Sequence, residues 1–252
     1  MKDATKRFSD RVEQYVLYRP SYPTSIISFL ENQYQLNSKW NIADIGSGTG
    51  ISSKLFLDAG YAVTAVEPND EMRQAAENLL HSYPTFTSID GKAEESGLAT
   101  HSFDLIIAGQ AFHWFDAKSF KSECIRIGKD KALVLLCWNE RLVNTDFLKA
   151  YEALILKYAT DYTSIDHRNI SDAIIQEFFT PHTFEKKTFP NVQRFDFTGL
   201  KGRLLSSSYI PNSNAASYEN MINELQLIFQ QYQHNNQVEI HYTTGLYIGL
   251  IN

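Results

Sequence analysis

The strongest constraint on the fold is a glycine-rich turn at residues 46–50. The chain enters this turn from a short apolar run, Trp40 to Ile45, and leaves it in a segment with helical periodicity, Ile51 to Ala59. Glycine accepts the conformations that a tight turn needs and lets the backbone approach a ligand closely. The start of the following helix offers unpaired N–H groups. The segment therefore predicts a strand, a turn and a helix that form a ligand site.

From residue 60 to residue 140 the chain alternates between apolar runs and helical periodicity. The further predicted strands are Ala62 to Val66, Phe86 to Asp90, Phe103 to Ala108 and Ala132 to Trp138, and the predicted helices are Asp70 to Leu80 and Ala117 to Ile127. Strands and helices that alternate at this spacing form βαβ units around a parallel sheet. Runs that are apolar throughout indicate strands covered on both faces. The sequence therefore predicts an α/β fold.

The flanking segments predict additional helices and strands. They are a helix over 3–18, a break at Arg19 to Pro23, a helix from Ser25 to Gln33, helices within 144–180, a strand from Phe184 to Phe195 interrupted by Pro190, a helix from Tyr218 to Tyr232, and an alternating segment from Val238 to Ile248. We find no repeat or linker. We therefore expect one domain over 1–252, with a cofactor-binding core at 35–140, N-terminal helices at 1–34 and candidate substrate-cap helices at 141–180.

Charge and cysteine content exclude several classes of partner. The net charge is -6 and no dense Lys/Arg run is present, which argues against a nucleic-acid partner. The two cysteines, Cys124 and Cys137, have no zinc-site or disulfide spacing, so no metal is expected. No stretch approaches the length of a membrane span, and the polar N-terminus lacks a signal-peptide core. We expect a cytoplasmic protein without a membrane partner.

The residues around the turn discriminate between nucleotide ligands. Glu67 stands at the end of the second predicted strand, where a carboxylate can accept hydrogen bonds from both hydroxyls of a ribose. The glycines are spaced G-x-G-x-G, whereas the G-x-G-x-x-G form suits a pyrophosphate. Asp44, just before the turn, would repel a pyrophosphate and suit an ammonium group. This combination favours S-adenosylmethionine (SAM), which has an amino-acid tail, a ribose and an adenine but no phosphate.

The segment from Asp44 to Gly50 resembles the first motif of class I SAM-dependent methyltransferases, D-[IVL]-G-x-G-x-G. The resemblance implies a Rossmann-like, doubly wound sheet of seven strands, mostly parallel with an antiparallel last strand and with helices on both faces. It also implies SAM as the cofactor and S-adenosylhomocysteine (SAH) as the product. The implied cofactor-binding residues are Asp44, Gly46, Ser47, Gly48, Gly50, Glu67, Pro68, Met72, Ala93, Glu94 and Gln110. Lys92 stands where the family often has Asp, which leaves the backbone at Ala93 as the expected adenine contact.

Two segments, Tyr18 to Pro23 and Ala111 to Asp116, resemble a small-molecule branch of that family that includes trans-aconitate methyltransferase-like proteins. The branch implies a small-molecule methyl acceptor, with a carboxylate preferred, and a monomer or homodimer. The candidate substrate-binding residues are Tyr15, Tyr18, Arg19, His113 and Trp114. The first three could close over the carboxylate of the cofactor as well as over the substrate, since a guanidinium binds a carboxylate in bidentate fashion. The chemistry leaves two roles open for His113, a base that removes a proton from the acceptor or a residue that only lines the pocket.

Other functions remain open from sequence alone. A nicotinamide-dependent oxidoreductase would share the strand, turn and helix, although the glycine spacing and Asp44 count against it. A non-catalytic SAM-binding protein would share every binding residue, because binding and turnover are separable. Methylation of a protein or nucleic acid is a third alternative, and the acidic charge disfavours a nucleic acid.

Overall fold

A computed structural model describes residues 12–160 and 171–252 of the chain. The elements in chain order are α1 (Val12–Tyr18), α2 (Ser25–Tyr34), β1 (Asn41–Ile45), α3 (Ile51–Asp58), β2 (Ala62–Val66), α4 (Asp70–Leu80), β3 (Phe86–Ile89), β4 (Phe103–Gly109), α5 (Ala117–Ile127), β5 (Gly128–Arg141), α6 (Asp146–Tyr158), α7 (Asp172–Phe179), β6 (Phe184–Phe195), α8 (Phe197–Leu205), α9 (Tyr218–Tyr232) and β7 (Val238–Leu250). A 3-10 helix, Phe112–Trp114, lies between β4 and α5. None of the helices in these two ranges is long and apolar enough to cross a membrane.

The strands of the described ranges form one seven-stranded sheet in the order β3-β2-β1-β4-β5-β7-β6. The pairs among β1 to β5 are all parallel, whereas β7 runs antiparallel to both β5 and β6. The expected mostly parallel sheet with an antiparallel last strand is therefore confirmed. Because the parallel strands all end at one edge of the sheet, the loops that follow them meet there.

Helices cover both faces of the sheet, as predicted. Successive strand residues alternate between two apolar clusters, so that Ile42 faces one side and Ala43 the other. α2, α3 and α4 pack on the face of Ile42, and α5 and α7 pack on the face of Ala43. Burial on both sides explains why these strands are apolar throughout instead of alternating with polar residues.

A third apolar cluster joins α6, α8 and α9 to the first half of β7. Its fully buried members include Leu148, Leu200, Leu204, Met221, Leu225 and Ile240. These helices lie beside the carboxyl edge of the parallel strands, because β7 starts at that edge. The predicted helical region 144–180 corresponds to α6 and α7, and residues 161–170 lie outside the described residues, as does the 3–11 part of the first predicted helix.

Two expectations about the flanking segments differ from the structure. The predicted break at Pro190 is wrong, because β6 is continuous and Pro190 pairs with Thr243. β6 is an edge strand, where the N–H that proline lacks need not join a ladder. Helix α8 was not predicted, since Gly199 and Gly202 lower its intrinsic helix propensity. Tertiary packing favours it, because the ring of Tyr18 lies where a side chain at residue 202 would be.

Candidate functional site

A cavity of about 360 Å³ opens at the carboxyl edge of the parallel strands. Thirteen sequence-predicted site residues line it: Tyr15, Arg19, Gly46, Ser47, Gly48, Glu67, Pro68, Met72, Ala93, Glu94, Gln110, His113 and Trp114. The remaining three, Asp44, Gly50 and Tyr18, do not line it. The structure thus brings most of the predicted cofactor and substrate residues into one cavity of the size that small ligands occupy.

The backbone amides of the glycine turn are largely used by the protein itself. The N–H groups of Gly46 and Ser47 donate to the carbonyl of Val66 at 2.8 and 3.1 Å, and that of Gly50 donates to the carbonyl of Ser47 at 2.9 Å. The N–H of Gly48 donates to Oε2 of Glu67 at 2.9 Å. A turn that binds pyrophosphate through its amides needs these donors free, so this one is poorly suited to a dinucleotide.

The side chain of Asp44 lies inside the protein against the first turn of α3. It is fully buried, and its Oδ2 accepts hydrogen bonds from the hydroxyls of Ser52 and Ser53, both at 2.6 Å. Burial raises the pKa of this carboxyl, and the serine hydrogen bonds act in the opposite direction. A carboxylate at a helix N-terminus takes the place where a phosphate would bind. Asp44 therefore prevents an anionic ligand from binding at the N-terminus of α3.

Glu67 follows β2 and lies in the cavity wall with both carboxylate oxygens oriented. Oε1 accepts from the N–H of Asn69 and Oε2 from the N–H of Gly48, each at 2.9 Å. Burial raises the pKa of Glu67, while these two hydrogen bonds lower it. Each oxygen keeps a further lone pair, so the carboxylate can accept two additional hydrogen bonds from a vicinal diol.

The wall next to Glu67 combines an apolar side chain with a rigid loop. Met72 lies in the first turn of α4, and its N–H donates to Oδ1 of Asn69 at 2.8 Å, which caps the helix. On the loop after β3, Lys92 and Glu95 exchange two backbone hydrogen bonds. The loop is also attached to α5, because the N–H of Ser96 donates to the buried carboxylate of Glu123 at 2.8 Å. These contacts fix the position of the loop that carries Ala93 and Glu94.

His113 and Trp114 lie on the 3-10 helix after β4. Their rings are in contact, with centroids 4.8 Å apart. The loop packs directly on the glycine turn, because a Cβ at Gly46 would lie 2.8 Å from Cζ of Phe115 and 2.9 Å from Cβ of Ala111. Gly46 is therefore required both for its φ of +66° and for this close approach.

Arg19 is placed by polar contacts between the segment after α1 and β5. The buried side chain of Asn139 donates to the carbonyl of Ser21 at 3.2 Å. The amide of Gln110 donates to the carbonyl of Asn139 at 3.2 Å, and Gln110 itself has a φ of +55°, a strained conformation common at ligand sites. The bond from Asn139 to Ser21 holds the predicted break at residues 19–23 against β5, and the bond from Gln110 joins the loop after β4 to the same strand.

Several cavity residues were missed by sequence reasoning. They are Tyr22, Asn139, Arg141, Arg203, Ser208, Tyr209 and Tyr242, among others. Asn139 and Arg141 end β5, so the rule that ligands bind at the carboxyl edge would have found them. Arg203 and Tyr242 reach the cavity only because α8 and β7 pack beside it, and no local pattern marks them.

The chain is similar to known methyltransferases in sequence and in fold. Residues 43–136 match the family model described as a methyltransferase domain. A methyltransferase-like protein of Schizosaccharomyces pombe is 24% identical over 95% of this chain and 93% of its own length. A methyltransferase of Mycobacterium bovis is 31% identical over 56% of this chain and 55% of its own length, so this chain spans about half of that relative.

The solved structures support the same fold. A structure from Anaeromyxobacter dehalogenans, assigned as a type II methyltransferase, covers 93% of this chain and 98% of its own, with 20% identity and a TM-score of 0.70. Phosphoethanolamine N-methyltransferase 2 of Haemonchus contortus, solved in complex with SAM, has 16% identity and a TM-score of 0.56 and covers 98% of this chain and 58% of its own.

We predict that Gly50 is required for packing and not for ligand contact. Gly50 and Gly60 both have left-handed φ values, +80° and +87°. A Cβ at Gly50 would lie 2.6 Å from Cδ1 of the fully buried Leu80, whereas nothing lies within 4 Å of a Cβ at Gly60. Gly60→Ala should lower the free energy of unfolding by about 1 kcal/mol through backbone strain alone. Gly50→Ala should lower it by a further ~1–3 kcal/mol through overpacking.

Urea denaturation of both variants measures this difference directly. Equal destabilisation of the two variants would contradict the packing role assigned to Gly50.

Proposed function

This chain belongs to the class I SAM-dependent methyltransferases, and from that premise we propose that its cavity binds SAM together with a small acid that receives the methyl group. The observation that carries the proposal is the carboxylate of Glu67, held in the cavity wall by the amides of Gly48 and Asn69. A carboxylate that can accept hydrogen bonds from both hydroxyls of a diol fits a ribose. Most backbone N–H groups of the glycine turn are bonded within the protein, so few donors remain for a pyrophosphate, which disfavours a nicotinamide cofactor.

The residues present fit the parts of SAM. Glu67 would hold the ribose hydroxyls, and the backbone of Gly46 to Gly48 would lie along the amino-acid tail. Met72 and Ala93 would flank the adenine with apolar surface.

SAM supplies an electrophilic methyl group on a sulfonium, so the difficult chemistry belongs to the cofactor. The protein has to orient the acceptor and exclude water. His113, Trp114 and Gln110 line the cavity and would position the acceptor. A carboxylate acceptor is already ionised at neutral pH and needs no base, whereas a hydroxyl or amine often does. We therefore propose O-methylation of a carboxylate, with His113 as a positioning residue.

We predict that SAH binding depends on Glu67. In calorimetric titrations, wild type should bind SAH, and Glu67→Ala should raise Kd by ~10- to 100-fold because two hydrogen bonds to a charged acceptor are lost. Glu67→Gln keeps one acceptor oxygen and should give an intermediate Kd. Glu77→Ala, an exposed acid on α4, is the matched control and should bind as wild type does.

Two results would contradict the cofactor site. The first is a folded wild-type protein that binds no SAH. The second is a Glu67→Ala variant that is folded and has unchanged Kd.

We predict that methyl-labelled SAM transfers its label to small carboxylic acids as base-labile esters. His113→Gln should lower kcat by much less than the ~10²-fold that loss of a general base costs, because a carboxylate needs no proton removed. The measurement is scintillation counting of extracted products before and after mild alkali. Label recovered in base-stable ethers or amines, with a large loss of kcat in His113→Gln, would instead assign a hydroxyl or amine acceptor and a base role for His113.

A further inference from the structure

A buried arginine, Arg203, and a half-buried arginine, Arg19, lie side by side in the cavity wall formed by the segment after α1 and by α8. Arg203 is 7% exposed, and both Arg203 and Arg19 line the cavity. Nη2 of Arg19 donates to the carbonyl of Ser206 at 3.0 Å, and Nη1 of Arg203 donates to the hydroxyl of the same serine at 3.4 Å. The two guanidinium groups therefore flank one residue, and their charges lie close together.

Neither guanidinium has a counter-charge among the described residues. The partners of Arg203 are hydroxyls, those of Ser206, Ser207 and Tyr242, the last at 3.0 Å from Nε. Nε of Arg19 is buried without a hydrogen-bond partner in the described part of the chain. Arg141, in the same wall, differs because it pairs with Glu152.

Such an arrangement is costly without an anion. Burial, and then the positive charge of Arg203, lower the pKa of Arg19. An arginine nevertheless stays charged at neutral pH. Two adjacent like charges, one buried and one half-buried, carry a desolvation penalty without a carboxylate partner, and a bound anion would offset it. Arginine is also the residue type that binds carboxylate and phosphate in bidentate fashion.

We propose that Arg19 and Arg203 hold an anionic group of the methyl acceptor, a carboxylate or phosphate, and that this group is not the one methylated. This inference rests on the proposed function, because it specifies the acceptor of that site. Under it, Arg203 is a specificity-determining residue that no sequence motif marks.

The chemistry of the transfer separates the anchoring anion from the reacting one. An oxygen lone pair of the acceptor forms the bond to the methyl carbon as the carbon–sulfur bond breaks, and the sulfonium becomes a neutral thioether. If the reacting oxygen belongs to a carboxylate, the product is a neutral ester. An arginine-bound carboxylate would thus lose its charge and leave both guanidiniums unpaired in the product complex. Their hydrogen bonds would also withdraw electron density from the attacking oxygen. The acceptor therefore carries at least one further anion besides the reacting group, either a second carboxylate or a phosphate.

The amino-acid tail of SAM also ends in a carboxylate, and the experiment has to separate the two sources. Saturating the protein with SAH fills the cofactor's own carboxylate site. Calorimetric titration of the SAH-loaded protein with succinate, tricarballylate and inorganic phosphate then reports only anions that bind at a site other than that of the SAH carboxylate. Succinamide is the neutral control of similar shape.

The expected result is that at least one of these anions binds the SAH-loaded wild type and that succinamide does not. Arg203→Gln should weaken the binding roughly ten- to hundred-fold, and Arg203→Lys should weaken it less because the charge is kept. Arg194→Gln is the matched control, since Arg194 is 60% exposed and pairs with Glu239 on β7. SAH affinity should stay close to that of wild type in Arg203→Lys.

Three results would overturn the proposal. One is that no anion binds the SAH-loaded wild type. Another is that anions bind only without SAH and are displaced by it, which would assign the arginines to the cofactor carboxylate. The third is unchanged anion affinity in folded Arg203→Gln. If Arg203→Gln does not unfold cooperatively, Arg203→Lys and the comparison of anions with succinamide on wild type decide the question.

Failure of the proposed function is distinguishable from failure of this inference. A wild type that binds no SAH contradicts the cofactor site. Titration of the SAH-free protein then tests the arginine pair alone. Anion binding that Arg203→Gln abolishes supports an anion site, and its absence overturns it.

Discussion

The carboxylate of Glu67 joins the two loops on which the site depends. It accepts the amide of Gly48 from the β1 turn and the amide of Asn69 from the β2 loop. Asn69 in turn caps α4 and places Met72. One side chain therefore fixes the relative positions of the glycine turn, the end of β2 and the first turn of α4. The same carboxylate faces the cavity, so the group that orders the site is also the group available to a ligand.

Sequence patterns predicted the sheet and its covering helices well, because those patterns are local. The bounds of β2, α4, α5 and α9 agree with the structure, and each has a clear periodicity or cap, such as Asp116 before α5. Helix α8 was missed for a physical reason. Its glycines argue against a helix, and its stability comes from contacts far away in sequence, notably the ring of Tyr18 against Gly202. The interruption expected at Pro190 failed because edge position, which sequence does not reveal, makes proline acceptable there.

The site residues divide in the same way, into those that local sequence predicts and those that depend on tertiary packing. Residues that directly follow a strand, such as Glu67 and His113, could be placed at the cavity because parallel strands end at one edge. Asp44 was expected to face a ligand's ammonium group, but the side chain turns inward to the hydroxyls of Ser52 and Ser53. Arg203 needed the packing of α8 on α1 to reach the cavity. The part of the cavity that we propose for the cofactor could thus be predicted from the sequence, whereas the part that we propose for the acceptor required the fold.

A crystal structure of the protein with SAH bound tests the proposed cofactor and acceptor sites most directly. We expect the two ribose hydroxyls to donate to the two oxygens of Glu67, with the adenine between Met72 and the backbone of Ala93. We also expect the amino-acid tail of SAH to leave Arg203 free for a second ligand. SAH bound with its ribose away from Glu67, or with its carboxylate on Arg203, would contradict the arrangement.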